Sequence, residues 1–290
     1  MKLLVTHRAP DIDAITSLWI FKRFHTQEFA DAKFAFVDAG NQISSQEAEE
    51  LGFSPEDVIH TDTGFTDFDH HQPEMGGKRV CAASLVYDFV ANIHPEVKND
   101  WALQQIVEYA LIDDHFENYH WPEASQPRYL FGFRGVLQGL EYTGLHNDDS
   151  QVAFGFKYLD GVYAALRLRY KAMKELEQHG KAFTSIWGKS IGVLSANNEV
   201  IRYAQLVGYS LVIQKDPHKG NVRIKTAPLP EMDLTCLYEK IQEKDKKGRW
   251  YFHPSKHMLL NGSTRATHAP SPLSLDEVVT LAKSCKEGGR

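Results

Sequence analysis

The chain has 290 residues, 42% hydrophobic and 24% charged, with a formal charge of −6 and a pI near 6.2. This composition fits one large or two ordinary folded domains and not a disordered chain. It excludes a generally basic, nucleic-acid-coating surface and leaves only a local basic groove for any phosphate partner.

At the N-terminus "LLVTH" is a short β-like run, and "PDIDAITSLWIFKRF" follows it with Ile12, Ile15, Leu18, Trp19 and Phe21 at helical spacing. "KFAFVDAG" and "DVIHTDTG" repeat the strand signal. Between them lies "SSQEAEELGF", a helix that Ser44 or Ser45 can cap and Gly52 can end. Alternating strands and helices predict a parallel sheet with helices on both faces, and such sheets place ligands beyond the carboxyl ends of their strands. His7 and Asp62 fall at two of those ends.

Three helical stretches follow, "CAASLVYDFVANIH", "DWALQQIVEYALIDD" and "YLFGFRGVLQGLEY", whose apolar stripes are expected to cover the sheet. The aromatics of "RYLFGFRG" are assigned to helix core and not to base stacking. Asp148 to Gly180 reads as one long helix, and its end sets the expected boundary between an N-terminal α/β domain, 1–180, and a smaller α/β domain, 181–290. In the second domain "SIGVLSA", "YSLVIQKD" and "NVRIKTA" read as strands, and "NEVIRYAQLVG", "LTCLYEKIQEK" and the Ser274-capped "PLSLDEVVTLAKSC" as helices. "EKDKKGRW" reads as a solvated turn.

Cys81, Cys236 and Cys285 are far apart with no C-x-x-C pair, so they read as reduced thiols of a cytoplasmic protein. No apolar run approaches a membrane span, and "MKLLVTHRAPDID" is too short in apolar residues for a signal peptide. The expectation is a soluble chain with no membrane partner.

The chemistry is concentrated in three places. "HRAPDID" sets His7, Asp11 and Asp13 in one turn, where Asp11 and Asp13 can serve different ions, or where Asp11 merely caps the helix. "HTDTGFTDFDHHQ" brings Asp62, Asp69, His70 and His71 to the end of another strand of the same sheet. "IVEYALIDD" ends a helix on Asp113 and Asp114, where a negative charge opposes the helix dipole. Converging carboxylates repel unless a cation intervenes, and mixed imidazole and carboxylate donors suit manganese, zinc, cobalt or iron. A bridging Asp62 would hold two ions at about 3.5 to 4 Å for hydrolytic chemistry.

"THRAPDIDA", "DTG", "DHHQ" and "ALIDD", in that order, resemble motifs I to IV of the DHH phosphoesterase superfamily, with a spacing most similar to the Myg-type, DHH-like branch. The motifs occupy the first 115 residues or so. The resemblance implies that His7 and Asp11 bind one metal, Asp13 the other, and that Asp62 bridges them. It implies that His70 ligates the second metal beside Asp113, with Asp114 as the alternative register, that His71 faces substrate or leaving oxygen, and that Asp69 orients the histidines. It further implies two divalent ions, manganese first, then magnesium, with cobalt or zinc as substitutes. The expected activity is hydrolysis of phosphodiesters in short single-stranded nucleic acids or nucleotides.

A phosphate grip is sought in the second domain at "LLNGSTRATHAPS", where Asn261 and Gly262 can offer backbone N–H groups and Arg265 and His268 side-chain donors. The plainer reading of that stretch is a polar turn before the last helix. Arg8 lies beside the metal loop as a further substrate contact. The other class of function is a catalytically silent nucleotide-sensing protein on the same fold, which the retained set of mutually repelling carboxylates disfavours.

Overall fold

The computed structural model describes residues 1–144, 147–262 and 269–286. The chain divides into two compact units, Met1–Leu166 and Arg167–Arg290. In the first, the order is β1 (Leu3–His7), α1 (Ile12–Phe24), α2 (Thr26–Phe29), β2 (Lys33–Val37), α3 (Ser45–Glu50), β3 (Val58–His60), α4 (Ala82–Ile93), α5 (Pro95–Lys98), α6 (Trp101–Asp114), α7 (Phe133–Tyr142) and α8 (Asp148–His179), which runs on into the second unit.

The three strands form a parallel sheet in the order β2-β1-β3, with Leu3 opposite Lys33 on one side and Val58 on the other. Alternation along β1 divides its side chains between two faces. Leu4 joins the main core with α1, α4 and α6, while Leu3 and Val5 pack with Phe53 and Ile43, which flank α3. Helix α1 is buried at every position from Ile12 to Phe21, because α4 and α6 both pack on it. Its N-cap is Asp11, whose Oδ1 accepts the Ala14 N–H at 3.0 Å. Helix α3 starts as expected with a Ser44–Glu47 capping box. The three strands run in one direction, so His7, Val37 and His60 mark a single edge of the sheet, from which the chain enters its loops.

The second unit is built on β4 (Lys181–Ser185), β5 (Gly188–Leu194), α9 (Glu199–Leu206), β6 (Leu211–Lys215), β7 (Val222–Thr226), α10 (Thr235–Lys244), β8 (Tyr251–Phe252), β9 (Met258–Asn261) and α11 (Leu275–Ser284). Its sheet order is β4-β5-β6-β7-β9-β8, antiparallel except for the parallel pair β5 and β6. The division falls inside α8 and not at residue 180, because Ala172 in the later turns of α8 is buried with Ile191, Val193 and Val200.

Two expectations about this unit are corrected. Cys236 and Cys285 form a disulfide, with Cα atoms 6.1 Å apart, where reduced thiols were expected. They are separated by 49 positions, but α10 and α11 pack together and bring them within bonding reach. Cys81 is free and buried. The charge run "EKDKKGRW" is also more than a solvated turn: Asp245 within it is buried and accepts from Trp250 Nε1 at 2.8 Å and from the Ser271 hydroxyl. No described helix is long and apolar enough to cross a membrane.

Candidate metal centre

The turn after β1 presents His7 with its Nδ1 donating to the Arg8 carbonyl at 2.9 Å. That bond leaves Nε2 to face Asp62 Oδ2 at 3.3 Å and Asp11 Oδ1 at 4.0 Å, the arrangement of an imidazole prepared to ligate through Nε2. Asp62 leaves β3 in the left-handed region, φ 55°, a conformation aspartate tolerates better than most side chains. Its N–H donates to the Phe68 carbonyl at 2.9 Å, which holds the carboxylate inward with only 3% of the side chain exposed. Gly64, two residues on, has φ 81°, and a Cβ there would stand 2.8 Å from Gln42 Cγ, so glycine is required to close this loop.

The other oxygen of Asp62, Oδ1, faces His70 Nε2 at 3.4 Å. Around the same His70 nitrogen lie Asp114 Oδ1 at 3.6 Å and Asp13 Oδ2 at 3.9 Å. Asp13 is fully buried and accepts the first N–H groups of α4, from Ala82 at 2.7 Å and Ala83 at 2.8 Å. Three donor groups therefore overlap among the described residues: His7, Asp11 and Asp62; Asp62, His70 and His71; and Asp13, His70 and Asp114, with Asp62 shared by the first two and His70 by the last two.

Comparison with known proteins follows this geometry. No family model matches the chain, and no curated protein does. Among solved structures, a DHH-domain protein described as a member of the s1p family of ribosomal proteins is 14% identical, with 90% of this chain and 82% of that chain covered and a TM-score of 0.34. RecJ from Thermus thermophilus in complex with Mg2+ is 13% identical over 98% of this chain and 49% of its own, TM-score 0.30, so the chain spans about half of that protein's length. A putative family II inorganic pyrophosphatase from Methanococcus jannaschii is 16% identical, covering 97% and 99%, with a TM-score of 0.23. The chain is similar to DHH-type structures.

Of the two aspartates at the end of α6, Asp114 and not the expected Asp113 lies in the cluster. Asp113 points away from the cluster: its Oδ2 accepts from Arg134 at 2.9 Å and its Oδ1 from Asn118 Nδ2 at 2.7 Å. Successive residues of an α-helix differ by about 100° in direction, so only one of two adjacent aspartates can face the sheet edge. Asp69 accepts from His71 Nδ1 at 2.8 Å and from its N–H at 3.1 Å, while the other oxygen takes the Phe65 N–H at 2.7 Å. It makes no bond to the His70 ring; it orients His71 alone.

The cluster is electrostatically unsettled. Burial works against charge on both His7 and His70, but the carboxylates around them, Asp62 first, overcome it and push each up to about 9. Burial raises Asp62 as well, yet the two imidazoles beside it hold it below the usual carboxylate range. Burial, then the charges of Asp62, Asp11 and Asp114, drives Asp13 well above its ordinary value, and Asp114 is raised by burial and by Asp62. Asp11 is pushed up to about 6 by burial and then by Asp62; its side chain is 57% exposed, which places the weight on the charge. Asp62 Oδ1 and His70 Nε2 are buried with no hydrogen-bond partner. An unpaired carboxylate oxygen and an unpaired imidazole nitrogen amid crowded anions fit a divalent cation, which would satisfy both conditions at once.

A cleft of about 260 Å³ opens onto the cluster, lined by His7, Asp11, Asp62, His71, Asp114 and Phe65 among others. His71, with 58% of its side chain exposed, is the imidazole on this cleft most open to solvent. Arg8 does not line it; its Nε pairs with Asp38 at 3.1 Å, and its side chain is 67% exposed. Arg265 and His268, with Ser263, lie outside the described residues. Asn261 is buried at the end of β9, and its side-chain amide donates to the Arg249 and Ala269 carbonyls. Arg134, which fixes Asp113, escaped the sequence reading because nothing local in "FGFRGV" marks an arginine that pairs 21 positions upstream.

Proposed function

We propose that the chain is a divalent-metal-dependent phosphoesterase of the DHH type that hydrolyses phosphodiester bonds of short oligonucleotides or nucleotides, with manganese as its preferred ion. The observation that carries this reading is the placement of Asp62, whose two oxygens face separate donor sets, Oδ2 towards His7 and Oδ1 towards His70. His7, Asp11 and Asp62 would hold one ion; Asp13, Asp62, His70 and Asp114 would hold the other. The nitrogen and oxygen donor mixture favours manganese over calcium. When bound, two such ions acidify water and neutralise charge that grows on phosphoryl oxygens.

The chain's own side chains supply order and a proton. Asp69, fully buried, fixes the His71 ring through Nδ1, so that Nε2 is the atom left for the cleft. There it donates to a phosphoryl or leaving oxygen. Arg134 holds Asp113 away from the cluster, so the charge balance around His70 rests on Asp13, Asp62 and Asp114.

The test is hydrolysis of a generic phosphodiester with added manganese, by the wild type and by Asp62→Asn. Turnover lost in the variant, with its circular dichroism unchanged, supports the reading. A wild type inert towards every phosphate ester with manganese, magnesium, cobalt and zinc would favour a nucleotide sensor instead.

A further inference from the structure

The segment between α6 and α7, with parts of both helices, lines a second, half-open hollow of about 370 Å³, within the roughly 300–1,000 Å³ of small-molecule sites. Its wall is aromatic. Trp121 lies 6.1 Å from Tyr109 and 5.8 Å from Tyr129 between ring centroids, and Tyr119, 64% exposed, lines the same hollow. The two arginines on its wall bring no excess charge: Arg128 pairs with Glu123 and lies 5.5 Å over the Tyr129 ring, and Arg134 pairs with Asp113. The Oδ1 of Asn118, another lining residue, is a buried acceptor with no hydrogen-bond partner.

Rings with a charge-balanced rim and one unmet acceptor suit a flat, neutral, π-rich group that carries an N–H. The cavity also has a neighbour. Arg134 and Gln138 line a smaller hollow of about 130 Å³, and Asp11, a candidate metal ligand, lines that one too. Arg134 and Gln138 are thus common to the aromatic hollow and to the one that Asp11 lines.

We propose that the Trp121 cavity receives a nucleobase, so that the substrate class is nucleotide-bearing phosphate esters and not inorganic polyphosphates. This rests on the phosphoesterase reading above. Aromatic faces accept every base, so recognition here is of the ring and not of sequence, and a single-stranded end is what can present an unpaired base.

The test is calorimetric titration of the manganese-loaded full chain with adenosine 5′-monophosphate and with ribose 5-phosphate, which has the same sugar phosphate and no base. The wild type should bind the nucleotide at least about tenfold more tightly, and Trp121→Ala should cut that ratio about tenfold. Trp121→Phe, which keeps a stacking face, should restore most of it. Tyr119→Ala removes an exposed ring with little risk to folding and should lower the ratio as well. Equal affinity for the two probes, or a ratio that neither Trp121→Ala nor Tyr119→Ala moves, overturns the base site and leaves the phosphoesterase standing. If the loaded wild type binds neither probe, the phosphoesterase reading falls and the base site with it.

Discussion

Replacing Asp113 and Asp114 by asparagine, one at a time, separates a carboxylate that holds the fold from one that faces the ions. Asp113 is 6% exposed and takes hydrogen bonds from Arg134 at 2.9 Å and Asn118 at 2.7 Å. A bond to a charged group is worth about 1.5–3 kcal/mol. The Arg134 side chain is 38% exposed, so solvent screening brings the loss in Asp113→Asn to about 1–2 kcal/mol. In a unit of this size that is about 2–8 °C in Tm. Asp114→Asn removes one of the anions crowded around His70, so the metal-free fold should keep its stability within about 0.5 kcal/mol. Affinity for the second ion should fall by more than the ~10–100-fold that loss of an outer partner costs. Thermal unfolding in chelator and calorimetric titration with manganese measure the two effects. An Asp113→Asn protein that loses an ion while Asp114→Asn retains both would refute the assignment.

Two more predictions concern pH and redox state. His7 and His70 stand at about 9 in the metal-free fold, against roughly 6.5 unfolded, so their stabilisation is complete below about 6.5 and is lost as pH rises through 9. Ligation needs both rings neutral, so manganese affinity should climb between about pH 6.5 and 8.5, approaching tenfold per unit at each site, and the Tm gap between loaded and chelated protein should widen. Calorimetry showing a flat pH dependence would contradict this. Reduction of Cys236–Cys285, which spans 49 positions, should lower the stability of the second unit by about 2–4 kcal/mol. Unchanged unfolding in the presence of reductant, or in Cys285→Ser, would show that the bond contributes nothing.

The strand, turn and helix of "LLVTHRAPDIDAITSLW" were legible because apolar period, proline and acidic cap agree on one local answer. The same holds for the Ser44 and Ser274 caps, each a capping box. What escaped was set at a distance. The choice of Asp114 over Asp113 turns on one residue of helix rotation, fixed by Arg134, and the disulfide on packing of α10 against α11. "RYLFGFRG" was read as core, but the helix begins only at Phe133, after a 3-10 turn opened by Pro127. Phe133 is 1% exposed and Phe131 is 84% exposed, so one apolar run serves two environments. Strand β8, two residues long, carries too little pattern to be read at all.

Asp13 faces His70 with the same carboxylate that seals the amide end of α4. Until that helix docks, the proposed site beside His70 would lack one of its walls, and until Asp13 settles, the helix lacks its lid. Ion uptake at that position would therefore serve as a gauge of finished assembly: a chain arrested before α4 seats on α1 should present only His7, Asp11 and Asp62 to any cation offered.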